Sequence, residues 1–155
     1  MRSDAATVVY LQKAKDARRI YATFVYDKIN CDGFKEEGIT FPSLDKQKIL
    51  LEEFYKKCNV SPIELSHLEA HATGTIAGDP VELQAIDEAL CIKRDFPLLM
   101  GSVKSNIGHP ESVSGLCHIA KVRFTTKIYK IELNHLCNLM LYINLCIFFI
   151  CDFLL

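Results

Sequence analysis

The sequence predicts an α/β fold, and two observations carry that prediction. Between residues 63 and 122 one unit occurs twice in the same order: an apolar strand-like run, a loop of small and polar residues, and a helical segment. Strand, helix and strand at this spacing imply parallel neighbours joined by a right-handed crossover. The residues ahead of this repeat add β-rich runs and one further helix pattern.

Along the chain, "ATVVYLQ" (6–12) and "RIYATFVYDKI" (19–29) have the β-branched and aromatic content of strands. "NCDGFKEEG" (30–38) is a polar loop with two glycines. "SLDKQKILLEEFYKKC" (43–58) sets Ile49, Leu50, Phe54 and Cys58 on one helical face. The repeat follows as strand 63–70, helix 80–92, strand 96–101 and helix 111–122. Helix 80–92 has a marked start: Asp79 is placed to cap it, Pro80 suits its first turn, and Glu82 would complete a capping box.

The 155 residues suffice for one domain with a core, and a net charge of −1 with no basic stripe excludes nucleic acid as the expected partner. The N-terminal residues meet charges too early for a secretory leader, so a cytoplasmic setting is expected. Cys31, Cys58, Cys91, Cys117, Cys137, Cys146 and Cys151 are scattered and form no CxxC pair. They are expected as reduced thiols, neither a disulfide framework nor a zinc site.

Composition changes near Val122. Residues 124–155 contain no Gly, Pro, Ala, Val or Arg, and 136–151 carry no charge. Three readings fit this tail: a membrane anchor, a buried helix, or translated non-coding sequence. The run falls short of the roughly 20 apolar residues of a membrane span, and the enriched residues are mostly those of AT-rich codons, which favours the third. The chain therefore divides at 1–123 and 124–155.

Two loops stand out, "EAHATGTIAGDP" (69–80) and "GSVKSNIGHPE" (101–111). His71 and His109 each follow the carboxyl end of a predicted parallel strand, the edge where open α/β sheets gather catalytic groups. Adjacent strands bring both imidazoles to one cleft. Ala70, Ala72 and Gly74 admit a substrate close to the backbone, Thr73 and Thr75 offer hydroxyls, and Lys104, Ser105 and Asn106 precede His109. Two neutral imidazoles can stabilise an oxygen on which negative charge develops, which suits chemistry beside a thioester carbonyl. A metal site of His71, Asp79 and His109 is the competing arrangement, disfavoured by the missing local ligand spacing and by the Lys104 charge. His67, His118 and His135 sit in no comparable context and are expected to be polar surface residues.

The pair "EAHATGT" and "GSVKSNIGH", with "IAGDPVE" between them, resembles the two histidine motifs of β-ketoacyl synthases. Residues 2–43 also resemble the corresponding stretch of animal-type fatty acid synthases, and the likeness runs from about Arg2 to Val122. The resemblance implies part of a thiolase-like fold, layered αβαβα in the intact family and usually homodimeric. It implies decarboxylative Claisen condensation of an acyl thioester with malonyl on acyl carrier protein. His71 and His109 would act on the enolate and thioester oxygens. Lys104 would join the supporting network, with Glu82 its partner and Asp79 beside it. Thr73, Thr75 and Asn106 would bind the substrate arm. No cofactor is implied as a resident group; phosphopantetheine enters as the carrier's arm. The family's cysteine motif of DxACSS type has no counterpart, so the isolated chain is expected to be inactive in condensation. The alternative is a non-catalytic chain that binds a synthase protomer or a carrier. Ala72 stands where the family has glycine.

Overall fold

Ser43 opens the first helix, α1 (Leu44–Cys58), by accepting the Lys46 N–H on its hydroxyl at 3.3 Å. Asn59 closes it at φ 54°, a left-handed turn that a short polar side chain tolerates. The buried face is Gln47, Leu50, Leu51, Phe54 and Tyr55, spaced i, i+3, i+4, i+7, i+8. Ile49, assigned to this face from the sequence, points outward at 43 % exposure, and Cys58 lies at the core's rim. Three apolar residues in a row at 49–51 leave the phase of the stripe open, and packing selects the latter two.

In this computed structural model residues 1–133 and 147–150 are described. His135, Cys137, Cys146, Cys151 and most of the uncharged stretch lie outside them.

Strands β2 (His67–Glu69) and β3 (Leu99–Gly101) pair in parallel, with β1 (Asp27–Asn30) set apart earlier in the chain. The register places His67 opposite Leu99, Leu68 opposite Met100 and Glu69 opposite Gly101, so both strands end level. Helix α2 (Gly78–Ile86), continued by a π-helical turn over Asp87–Cys91, connects them. Leu51, Phe54 and Tyr55 of α1 meet Leu68 and Ala70 of the β2 segment and Ala85, Ile86 and Leu90 of the connection in one core. Arg94 fastens the return to β3 by donating to Pro62 O and Leu65 O, each at 2.6 Å. Lys48 and Glu88 pair at 2.8 Å across α1 and the π turn.

After β3 the chain makes a one-turn helix, α3 (Lys104–Ile107), then a 3₁₀ turn at Glu111–Val113 and the long helix α4 (Ser114–Leu133). Helix α4 runs through the composition change near Val122 without a break. A last strand, β4 (Ile147–Ile150), pairs in parallel with β1. Among the described residues no helix is long and apolar enough to cross a membrane.

Several predicted strands are shorter or absent. Residues 6–12 form none, and Val8, Tyr10 and Leu11 stand 95, 83 and 79 % exposed. Of 19–29 only the end is strand. β-branched content favours a pleated surface only where a neighbouring strand supplies the ladder, and 6–26 has none beside it among the described residues. The predicted strand at 63–70 begins late because Pro62 starts a 3₁₀ turn over Pro62–Glu64. The N-terminal residues do make one parallel bridge, Arg2 to His109.

Candidate active site

The site forms where β2 and β3 end together. Ala70 donates its N–H to Gly101 O at 2.7 Å, the last rung before the two loops part. His71 is the next residue on one side; Ser102 follows on the other, its hydroxyl 3.4 Å from both His71 O and Ala72 O.

The first loop is held from beneath by helix α2. The Glu82 carboxylate accepts the N–H of His71 at 2.7 Å and of Ala72 at 2.8 Å. Asp79 accepts from Gly74 N at 3.1 Å and from Thr75 N at 3.3 Å. The expected capping box at the start of α2 therefore does not form. Asp79 lies inside the first turn, and the Thr75 hydroxyl takes the capping role by accepting Gly78 N–H at 3.1 Å. The loop's four N–H groups face no strand, and the two carboxylates are the acceptors that satisfy them. Ala72 has φ 29° and Gly74 φ 81°, so the loop does require positive φ at Ala72.

The second loop returns Lys104 into the same space. Lys104 is buried at 6 % exposure, and its ammonium donates to His71 O at 2.8 Å, His71 Nδ1 at 3.3 Å and His118 Nε2 at 2.8 Å. Gly108, at φ 77°, turns the chain so that His109 follows; a Cβ there would sit 2.9 Å from Met1 O. His109 is gripped on both main-chain groups, its N–H by Met1 O at 2.9 Å and its carbonyl by Ser3 N at 3.1 Å. The imidazoles of His71 and His109 meet edge to face, centroids 5.4 Å apart and planes at 89°.

Electrostatics keep this cluster neutral at its rings. Burial, then the Lys104 charge, pushes His71 down to about 4. His118 is likewise pushed down to about 4 by burial and then Lys104. His109 is lowered by the same two causes in the same order. Burial brings Lys104 down to about 8 against the opposing fields of Glu82, Glu69 and Asp79. Glu82 and Lys104 form no ion pair, so Glu82 supports the lysine through its field and not by contact. Burial raises Glu82, partly offset by the two N–H bonds it accepts.

The partners assign the tautomers. His71 Nδ1 accepts from Lys104, and His109 Nδ1 accepts from Glu111 N at 3.1 Å. Each ring then carries its proton on Nε2, giving two neutral N–H donors at one place. Such a pair suits an oxygen that gains charge during reaction. Among the described residues no three His, Cys, Asp or Glu side chains are gathered as a metal site needs.

The remaining residues singled out from the sequence fall nearby. Thr73 is half-buried in the first loop; Asn106 is exposed on α3, its Oδ1 3.4 Å from the Ser105 hydroxyl. Sequence reasoning missed two residues. Glu69 accepts the Val103 N–H and pairs with Lys121 at 2.7 Å, with His67 Nε2 at 3.5 Å. Burial alone would raise Glu69, but the bonds from His67, Lys121 and Val103 hold it below its usual range. Its signal was period two along β2: His67, Glu69 and His71 share a face. His118 was expected at the surface and instead lies half-buried against Lys104, brought there because α4 starts directly after the His109 turn.

The family model described as beta-ketoacyl synthase, C-terminal domain, matches residues 21–132. The chain is 48 % identical over 121 residues to a fatty acid synthase of Anser anser anser, covering 78 % of this chain and 34 % of that protein. It is 40 % identical over 124 residues to a highly reducing polyketide synthase of Alternaria alternata, covering 77 % of this chain and 4 % of that one. The chain thus spans about a third or less of these relatives. Among solved structures it is similar to the ketosynthase from module 6 of the bacillaene synthase from Bacillus subtilis 168. That likeness has TM-score 0.70 and 36 % identity over 76 % of this chain and 22 % of that chain. The α/β arrangement is part of the thiolase-like fold of these ketosynthases.

Proposed function

The chain belongs to the β-ketoacyl synthase family, in its C-terminal domain, and on that premise we propose that His71 and His109 are the enolate-stabilising pair of a condensing acyltransferase. Its substrates are acyl and malonyl thioesters on an acyl carrier protein, in fatty acid or polyketide assembly. Malonyl loses CO₂, and the electron pair of the broken C–C bond passes into the thioester carbonyl as an enolate. The two Nε2–H groups stabilise that oxygen; the enolate carbon then attacks the acyl thioester carbonyl, whose C–S bond breaks and releases the acyl-bearing cysteine as a thiolate. Lys104 keeps His71 in its donating tautomer.

The phosphopantetheine arm of the carrier is the substrate's own tether and no resident cofactor is required. Thr75 accepts from Gly78, which leaves its hydroxyl proton for the arm, and Thr73 and Asn106 are the further contacts proposed for it. The acyl-accepting cysteine comes from outside the described residues in this reading. Cys117 pairs with Thr7 at 3.3 Å and Cys58 donates to Tyr55 O at 3.6 Å, so neither thiol is turned to the imidazoles. The family's homodimeric organisation and a cytoplasmic setting belong to the same proposal.

The observation that carries it is the edge-to-face pair at 5.4 Å with both Nδ1 atoms already occupied as acceptors. Titration of the histidine-labelled chain with malonyl-pantetheine tests it. His71 and His109 signals are expected to shift together and saturably; binding that moves neither ring would defeat the assignment. A second, non-catalytic reading has its own support: Val8 and Phe34 expose 95 and 94 % of their surface, apolar area that a synthase protomer or carrier would cover. A sharp monomer peak in size exclusion would count against such a partner, and self-association relieved by a synthase half would favour it.

A further inference from the structure

Lys104 has three ammonium protons and three acceptors: His71 O, His71 Nδ1 and His118 Nε2. The first two belong to the first loop. The third comes from the second turn of α4, and nothing in the condensation scheme uses it. We propose that His118 is a positioning residue of this site: by accepting one Lys104 proton on Nε2 it holds the ammonium against His71 and fixes His71 as the Nε2–H tautomer.

The geometry argues for this in two steps. At 6 % exposure Lys104 has little access to water that could replace a lost partner, so each buried donor needs a protein acceptor. An ammonium with one donor unmet turns toward solvent or gives up a proton. A neutral amine has a lone pair and can accept from Nδ1–H of His71 as readily as it donates to Nδ1, so the tautomer is then no longer fixed.

The surroundings leave His118 this role. The groups that face its ring are Lys104, Glu69, Lys121 and His109. Glu69 and Lys121 are already paired with each other at 2.7 Å, beside Gly101. Lys104 in turn feels Glu82, Glu69, Asp79 and Cys117, yet its hydrogen bonds among the described residues go to the two histidines alone. Among the described residues His118 is thereby the one hydrogen-bonded link from α4 to the His71 loop that passes through Lys104.

The meaning for condensation rests on the function proposed above; the hydrogen-bond assignment does not. The test is nitrogen-detected NMR of the histidine-labelled full chain at neutral pH, where ring shifts report which nitrogen is protonated. His118 is expected as Nδ1–H and His71 as Nε2–H. His118→Phe retains a ring and removes the acceptor: His71 is expected to become a tautomer mixture and Lys104 to titrate at lower pH. His118→Gln, with an amide oxygen as acceptor, is expected to restore the single His71 form. A wild-type His118 protonated on Nε2, or a His118→Phe variant in which His71 keeps one tautomer, would overturn the proposal. If His118→Phe fails to fold, the wild-type tautomer decides. Tautomers as expected uphold it even where malonyl-pantetheine does not bind, a result that bears on the condensation reading alone.

Discussion

The Glu82 carboxylate, on helix α2, accepts the main-chain N–H of His71 at 2.7 Å, and the same group accepts Ala72 N–H at 2.8 Å. The imidazole is therefore placed through its backbone by a helical residue eleven positions later, while Lys104 fixes the ring itself. One carboxylate replaces the strand partner that the first loop lacks.

Glu82→Gln exchanges one acceptor oxygen for an NH₂, which faces one of those N–H groups donor to donor. The variant is expected to lose about 1–3 kcal/mol of stability and to shift the His71 ring signal. Chemical denaturation with the ring resonance as probe measures both. Unchanged stability would mean that the two N–H groups find other acceptors.

Stability is expected to fall on mild acidification because two histidines are held neutral. His71 and His118 have folded values of about 4 against the ordinary 6.5 of a histidine. Lowered values mean that the unfolded chain binds protons first: the contribution is whole above about pH 6.5 and is lost as pH falls toward 4. From pH 7 to pH 5 each ring costs on the order of 2 kcal/mol of stability. His118→Gln should roughly halve that slope in urea titrations at a series of pH values. A slope indifferent to His118 would contradict its burial beside Lys104.

Two positions with positive φ predict opposite effects. Ala72 at φ 29° carries a Cβ in a region that glycine occupies freely. Ala72→Gly is expected to stabilise by about 0.5–1 kcal/mol, relief of strain less the extra freedom of the unfolded glycine. Gly108→Ala adds a Cβ at φ 77°, 2.9 Å from Met1 O and 3.2 Å from Ser3 Cβ. It should cost about 2 kcal/mol or more and loosen the grip on His109. Thermal unfolding of both variants checks the signs.

The parallel strands and both histidine loops were legible because strand, loop and helix signals there are local and agree with one another. Ala72 was legible too: an alanine among glycines in a tight loop raises the question of positive φ, and the answer is 29°. The strand assigned to 6–12 and most of the one assigned to 19–29 were not, since a strand depends on a neighbour that sequence alone does not place. The capping box failed for a similar reason. Asp79 and Glu82 have the right local spacing, but the loop folded over the helix offers N–H donors that local spacing cannot reveal. His118 illustrates the limit most plainly. In the sequence it is a histidine in a helix, and only the return of Lys104 from another loop makes it part of a site.

Condensation needs a thiolate that takes the acyl group, and removing one member of such a unit loses most of the rate. Among the described cysteines, Cys31 is exposed, Cys58 and Cys91 are half-buried at or after helix ends, and Cys117 is buried against Thr7. Among the described residues no hydrogen bond joins any of these four thiols to His71 or His109. The chain on its own is therefore expected to form no acyl-enzyme with an acyl carrier thioester and to release no 3-ketoacyl product when malonyl carrier is added. Intact-mass spectrometry after incubation, followed by product analysis, checks both steps. An acyl mass on one cysteine together with steady product release would show that this chain supplies its own nucleophile.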